Sequence, residues 1–158
     1  MSRKVINKRV VCPSCYLSYT GTVTGSLRAL GVDCDAIDIG GYSGYAFIIN
    51  VTKSATDASG PTALGSLWDQ VFRATESLGW TIETYFDLEY EPKGRDPTPD
   101  ELERAKKLFK KNRKEIEERD KPVVVWGLPV PDYGVVIGYD GESYLANTIY
   151  GENEKPVV

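Results

Sequence analysis

The stretch that decides the fold is residues 121–150, KPVVVWGLPVPDYGVVIGYDGESYLANTIY. Two valine-rich runs, at 122–128 and 133–139, are typical of buried β-strands. Asp140-Gly141 is a strong signal for a tight hairpin turn, and it predicts that the second run leads directly into a third strand at 143–150. Because hairpin-linked strands run in opposite directions, this stretch predicts an antiparallel sheet late in the chain.

A helical pattern upstream predicts the first element that packs on this sheet. Apolar residues recur on one face of residues 16–30, and Gly31 is a typical helix stop. Gly21 and Gly25 inside the pattern weaken a helix by about 1 kcal/mol each relative to alanine. Their presence therefore predicts that another segment packs closely against the helix at these positions.

The remaining elements place helices early and strands late. Helices are predicted at 61–78 and from Thr98, where Thr-Pro-Asp-Glu is a helix-start signal. Shorter strands are expected at 4–11, 45–50 and 80–88. This order indicates one α+β domain over residues 1–158, with amino-terminal helices packed on a carboxyl-terminal antiparallel β-sheet.

The composition argues against several classes of protein. The chain has 158 residues, a formal net charge of -4 and a pI of about 5.0. An acidic chain is not typical of proteins that bind nucleic acid or anionic membranes. No apolar run approaches the roughly 20 residues that span a bilayer, and the basic amino terminus lacks the apolar core of a signal peptide. We therefore expect a cytoplasmic protein with no nucleic-acid or membrane partner.

The chain contains three cysteines and no histidine. Histidine is the only side chain whose unperturbed pKa lies near neutrality, and it is the commonest metal ligand. Any mechanism for this chain must therefore work without imidazole. The odd number of cysteines also argues against a disulfide-built secreted fold.

Cys12 and Cys15, in VVCPSCYLSYTG at 10–21, allow four interpretations. They could supply two ligands of a zinc site with Cys34 as a third, or they could form a redox pair between a strand and a helix. Cys15, near the predicted helix start, could also be a nucleophile whose thiolate the helix dipole stabilises. In the fourth interpretation, they are small residues in a packed turn. The residues alone leave all four open.

Two segments together resemble a known fold. Residues 18–50, SYTGTVTGSLRALGVDCDAIDIGGYSGYAFIIN, contain a helix ending in LRALG and a Ser-Gly-Tyr-Ala-Phe element. Residues 121–148 contain a buried strand, a proline corner and a valine-rich strand ending in Gly-Tyr-Asp. Both are similar to the papain-like fold in its small bacterial form. The resemblance is to the family of the butirosin biosynthesis protein H amino-terminal domain and, more distantly, to double-glycine leader peptidases.

This resemblance implies three site positions. Such enzymes use a cysteine at the start of the first helix, a histidine that opens the strand leading to Gly-Tyr-Asp, and an Asn or Asp on the next strand that orients the histidine. The third position falls on Asn147, and the histidine position falls on Asp132. The nucleophile position falls on Cys15, or on Ser18 when it is counted back from Gly31.

Asp132 is the main departure from the family pattern. An ordinary aspartate has a pKa of about 3.9, so near pH 7 it is a weak base towards a thiol. Its negative charge beside Cys15 would also disfavour a thiolate. The resemblance therefore implies a degenerate catalytic site.

Three functions follow from these observations. The favoured one is a cleft that binds a small molecule or peptide without a cofactor or metal, lined by Asp132, Trp126, Tyr133, Tyr42 and Tyr45. The second is a cysteine-dependent hydrolase or acyltransferase that uses Cys15. The third is a metal or redox protein built on the CxxC pair.

Overall fold

The structure is a computed structural model that describes residues 2–48, 67–85, 96–128 and 132–152. The described helices are α1 Ser18–Ala29, α2 Ala36–Tyr42, α3 Leu67–Thr75 and α4 Pro99–Arg119, with short 3₁₀ helices at Tyr45–Phe47 and Glu76–Leu78. The described strands are β1 Arg3–Val5, β2 Val123–Trp126, β3 Tyr133–Asp140, β4 Ser143–Thr148 and β5 Gly151–Glu152. The α+β class with an antiparallel sheet is confirmed.

β3 is the centre of the sheet, and every described strand pair is antiparallel. β4 pairs with one edge of β3 through the hairpin at Asp140-Gly141, which confirms the predicted turn. β2 and β1 share the other edge: β2 pairs with the first half of β3 and β1 with its last three residues. β5 extends the sheet beyond β4. The strand that opens at Tyr133 is therefore flanked on both sides.

A bulge in β3 allows this strand to contact two helices. The register with β4 shifts within Val136–Gly138. Before the bulge, Tyr133 contacts Tyr19 of α1 with ring centroids 5.5 Å apart. After the bulge, Tyr139 donates a hydrogen bond to Glu117 of α4. On a regular strand, residues six apart point to the same face, so the extra residue turns the second half of β3 towards α4.

The predicted close packing at the two α1 glycines is found. A Cβ atom on Gly25 would lie 2.8 Å from the carbonyl oxygen of Val11 and 3.0 Å from the Cα of Cys12. A Cβ on Gly21 would lie 2.8 Å from the carbonyl oxygen of Pro13. The amino-terminal segment therefore lies directly on the α1 backbone, where only glycine leaves room.

Two predicted helix ends and one predicted helix start are also found. α1 ends before Gly31, which has a φ of +90°. The 3₁₀ turn after α3 ends at Gly79, which has a φ of +92°. α4 begins with a capping box between Thr98 and Glu101 and has Pro99 in its first turn. Residues 61–66 of the predicted second helix lie outside the described residues.

The strand predicted at 45–50 is wrong where the structure describes it. Tyr45–Phe47 forms a 3₁₀ helix, and residues 49–50 lie outside the described residues. The preceding residues form α2, which the sequence analysis did not predict and which begins with a capping box between Asp35 and Asp38. Gly44, with a φ of +72°, then turns the chain so that Tyr45 enters the core.

The strand predicted at 80–88 is also wrong where the structure describes it, and the strand predicted at 4–11 is only partly correct. Residues 80–85 have no regular secondary structure, and Trp80 and Ile82 pack against the cluster of buried aromatic residues; residues 86–88 lie outside the described residues. Of the strand predicted at 4–11, only the first residues pair with β3. Asn7 and Lys8 instead bind Asp120 at the end of α4, which draws the chain away from the sheet.

Among the residues that the structure describes, no helix combines the length and the apolar character needed to cross a membrane.

Candidate functional site

The amino end of α1 meets the first residue of β3. Ser18, the first residue of α1, is buried, and its Oγ accepts a hydrogen bond of 3.2 Å from the backbone N–H of Tyr133. Leu17, at the N-cap position, provides no side-chain cap. Two positions implied by the family resemblance, Ser18 and Asp132, are therefore brought to the same place, since Asp132 directly precedes Tyr133.

Asp132 is the residue just before this junction in the chain. Its carboxylate accepts a 2.5 Å hydrogen bond from the hydroxyl of Tyr150. This bond, together with the negative charge of the carboxylate, raises the pKa of Tyr150. The backbone oxygen of Asp132 accepts a 2.8 Å hydrogen bond from the N–H of Gly127, which fixes the residue beside the end of β2. No lysine or arginine in the described part of the chain forms an ion pair with Asp132.

Three exposed aromatic residues lie near this end of α1 and β3 in the chain. Trp126 is 37% exposed and pairs across the strands with Tyr133, with ring centroids 5.1 Å apart. Tyr150 is 71% exposed. Tyr16, two residues before Ser18, is also exposed. Of these residues, Tyr150 is the one whose contact with the Asp132 carboxylate the structure shows.

The other predicted aromatic residues lie elsewhere. Tyr45 and Tyr133 are buried in a cluster around Tyr19, whose own burial raises its pKa to about 12. Burial raises the pKa of Tyr133 as well. Both tyrosines therefore belong to the core and not to an accessible binding surface, contrary to the prediction. Tyr42 is exposed at the end of α2, and no contact in the described residues joins it to Asp132.

Cys15 precedes α1 and does not lie within its first turn. Its Sγ donates a 3.0 Å hydrogen bond to the carbonyl oxygen of Leu17 and lies 3.4 Å from Oγ1 of Thr20. It also packs on the backbone of Gly21, close to Ile149. The thiol is therefore half-buried, and its described hydrogen-bond partners are a backbone carbonyl and a hydroxyl, not a carboxylate that could act as a base.

Asn147 is buried on β4, opposite Val135 of β3. Its Nδ2 donates a 2.9 Å hydrogen bond to the carbonyl oxygen of Val10. Its Oδ1 is buried without a hydrogen-bond partner among the described residues. Asn147 thus holds the amino-terminal segment in place, and no described contact joins it to Asp132 or Cys15.

The three cysteines do not assemble into a described metal site. None of the three cysteines, Cys12, Cys15 and Cys34, forms a disulfide bond. Cys34 is buried after α1, and desolvation raises its pKa, with the negative charge of Asp38 adding to the effect and Arg28 opposing it. Within the described ranges, no three His, Cys, Asp or Glu side chains are grouped so that they could hold a metal ion.

Two residues of the site escaped the sequence analysis. Tyr150 was predicted as the last residue of a strand, but β4 ends at Thr148 and the turn into β5 directs Tyr150 to Asp132. Thr20 contacts the Cys15 thiol from within α1. Neither residue carries a signal in the periodic pattern, because both contacts depend on where a neighbouring element begins or ends.

No protein-family model, no curated protein and no solved structure matches this chain.

Proposed function

We propose that this chain is a papain-like domain with a degenerate catalytic site. In this proposal, the junction between the amino end of α1 and the start of β3 is a cleft that binds a small molecule or a peptide. Three features support the kinship: an early helix whose first residue contacts the opening of the central strand, an antiparallel sheet late in the chain, and an asparagine on the next strand. The likeness is to a fold, so the function rests on the site itself.

The observation that carries the binding function is that the residues at the implied catalytic positions form hydrogen bonds with other residues and not with one another. Cys15 is bonded to Leu17 and Thr20, whereas the Asp132 carboxylate is bonded to Tyr150. A nucleophile needs a base within hydrogen-bond reach and a third group that orients the base. Here Cys15, Asp132 and Asn147 each have a separate partner, so binding is favoured over thiol catalysis.

Exposed rings at this end of the sheet are a suitable surface for a ligand. Aromatic side chains contribute a large contact area and also dominate the energetics of most binding sites. Trp126 is held against Tyr133, which is fixed in the core, so its ring is positioned before a ligand arrives. Such preorganisation reduces the entropy that binding must overcome.

A thermal-shift screen tests this proposal with tripeptides, amino acids, amines, sugars and nucleosides. A ligand at about ten times its Kd adds about 1.4 kcal/mol to the free energy of unfolding, which for a chain of this size raises the Tm by about 3–6 °C. We expect Tyr150→Ala to abolish most of this shift. Phe47→Ala, which removes a similarly exposed ring on the chain segment after α2, is the matched control and should retain it.

Two results would contradict the proposal. One is a panel in which no compound raises the Tm of the wild-type chain. The other is a stabilising compound whose shift survives Tyr150→Ala but is lost in Phe47→Ala, because that compound would bind near α2 and not at the junction.

A further inference from the structure

We propose that a groove beside α3 binds a free α-amino acid with an apolar side chain. The groove is a cavity of about 360 Å³ between α3 and residues 82–84. Six described residues line it, and we call the cavity that they form the α3 groove: Asp69, Phe72, Arg73, Glu76, Ile82 and Thr84. Its volume is at the lower end of the range typical of small-molecule sites, so it suits one small ligand. It shares no lining residue with the junction of α1 and β3 and does not depend on the proposed function.

The floor of the α3 groove is apolar and held in place by the core. Phe72 is buried, and its ring stacks on Trp68 with centroids 5.4 Å apart. Ile82 is partly buried and packs against the same cluster. An apolar side chain of a ligand is removed from water when it covers these two residues. Because the core already orders them, binding loses little side-chain entropy.

Arg73 is held by Asp69 and keeps donors for a carboxylate. Its Nε lies 2.9 Å from Oδ2 of Asp69, one turn earlier on α3. A guanidinium has five N–H donors, and the donor on Nε is one of them. The terminal nitrogens suit the carboxylate of a ligand, which arginine binds through two parallel hydrogen bonds.

Glu76 favours an ammonium group on the same ligand. It begins the 3₁₀ turn Glu76–Leu78 at the carboxyl end of α3. Within the described ranges, no lysine or arginine forms an ion pair with it. The carboxyl end of a helix carries a partial negative charge, so the helix and the Glu76 carboxylate attract the same cation.

The spacing of Arg73 and Glu76 matches the two charges of an α-amino acid. Residues three apart on a helix have Cβ atoms about 5–6 Å apart. The ammonium and the carboxylate of an α-amino acid are attached to the same carbon atom, so one molecule can contact both side chains. A simple amine would leave Arg73 without a carboxylate, and a simple carboxylic acid would be repelled by Glu76. A zwitterion with an apolar side chain is therefore the class of ligand that fits the whole lining.

The test uses L-leucine and three analogues, each of which lacks one of its features. Leucinamide lacks the carboxylate, N-acetyl-leucine lacks the ammonium and glycine lacks the side chain. Binding is followed by the backbone amide signal of Thr84 in ¹H–¹⁵N NMR spectra at about pH 6, where the amine of leucinamide is protonated. We expect leucine to have a Kd about tenfold lower than that of leucinamide or N-acetyl-leucine, because each loses one charged contact. Glycine should also bind more weakly, since it has no side chain to cover the floor.

Two variants remove the charged contacts one at a time. Glu76→Gln should weaken leucine and leucinamide about tenfold and leave N-acetyl-leucine unchanged. Arg73→Gln should weaken leucine and N-acetyl-leucine about tenfold and leave leucinamide unchanged. Glu142→Gln is the matched control on an exposed carboxylate in the turn between β3 and β4, and it should leave every affinity unchanged. Tyr150→Ala, at the junction, should also leave leucine binding unchanged.

The outcomes separate this inference from the proposed function. If leucinamide binds as tightly as leucine and Arg73→Gln changes neither, the groove binds amines and the amino-acid assignment is overturned. If N-acetyl-leucine binds most tightly, or if no probe shifts the Thr84 signal, the assignment also fails. None of these results bears on the junction. Loss of leucine binding in Tyr150→Ala but not in Glu76→Gln or Arg73→Gln would place the ligand at the junction and overturn the α3 site.

Discussion

Gly25→Ala is expected to lower the free energy of unfolding by about 1–3 kcal/mol, although alanine favours a helix. The new Cβ would lie 2.8 Å from the carbonyl oxygen of Val11 and 3.0 Å from the Cα of Cys12. Both neighbours are backbone atoms, so neither can rotate away as the end of a flexible side chain could. Urea denaturation followed by circular dichroism measures the change.

Gly41→Ala is the matched control for this substitution. Gly41 also lies within a helix, α2, but a Cβ there would have no neighbour within 4 Å. The substitution should therefore stabilise the chain by up to about 1 kcal/mol through helix propensity alone. If Gly25→Ala stabilised the chain as much as Gly41→Ala does, the amino-terminal segment would not lie on α1 as described.

Asn147→Asp is expected to destabilise the chain by about 3 kcal/mol at pH 7. The substitution replaces the Nδ2 donor with an acceptor that faces the carbonyl oxygen of Val10. It also buries a negative charge whose other oxygen, at the place of Oδ1, has no described partner. Equilibrium unfolding at pH 7 and at acid pH measures the effect.

The pH dependence of this variant follows from the same contact. Burial raises the pKa of the introduced carboxyl in the folded state above its unfolded value of about 3.9. Its protonated form, which can donate to Val10, is therefore tolerated at acid pH, and stability is lost as the pH rises through the folded pKa. A loss that did not change with pH would contradict this explanation.

Asn112→Asp is the control, because it makes the same substitution at a second buried asparagine that has a different hydrogen-bond partner. Asn112 is also buried, and its Nδ2 donates to the hydroxyl of Tyr144. A hydroxyl can rotate and donate to the new carboxylate, whereas a backbone carbonyl cannot. We therefore expect Asn112→Asp to cost less than Asn147→Asp, and the reverse order would show that the Val10 contact does not hold the segment.

Local signals predicted the elements whose cause lies within a few residues. The hairpin at Asp140-Gly141, the stop at Gly31 and the capping box at Thr98 each depend on backbone geometry that a short sequence motif specifies. The contact at Gly21 and Gly25 was also indicated, because two glycines inside a helical pattern require a reason. The sequence did not show which segment would provide that contact.

Elements that depend on tertiary contacts were missed. Residues 45–47 have the apolar character of a strand, but Tyr45 packs against Tyr19 and Trp68 and the backbone follows as a 3₁₀ helix. Residues 80–85 also looked like a strand, yet they pack beside the aromatic core without a strand partner among the described residues. Such short apolar runs have no intrinsic preference strong enough to resist their packing.

In the candidate site, the sequence indicated some positions but not their hydrogen-bond partners. The resemblance implied Ser18 and Asp132 as site positions, and in the structure Ser18 bonds the backbone N–H of Tyr133, the residue after Asp132. It gave no indication that Tyr150 would bond Asp132 or that Leu17 would bond the Cys15 thiol. These partners are the reason for proposing a binding cleft and not a reactive thiol, and they follow from the end of β4 and the start of α1.

The most direct test of the central claim, that the junction binds and does not react, is acetylation of Cys15 by p-nitrophenyl acetate. The rate is followed at that residue by peptide mass spectrometry and compared with the same cysteine in a synthetic peptide of residues 10–21. Because the thiol is half-buried and bonded to Leu17, we predict a slower rate in the folded protein than in the peptide. A faster rate in the folded protein, reduced by Asp132→Asn, would show that the junction activates Cys15 and would contradict the account.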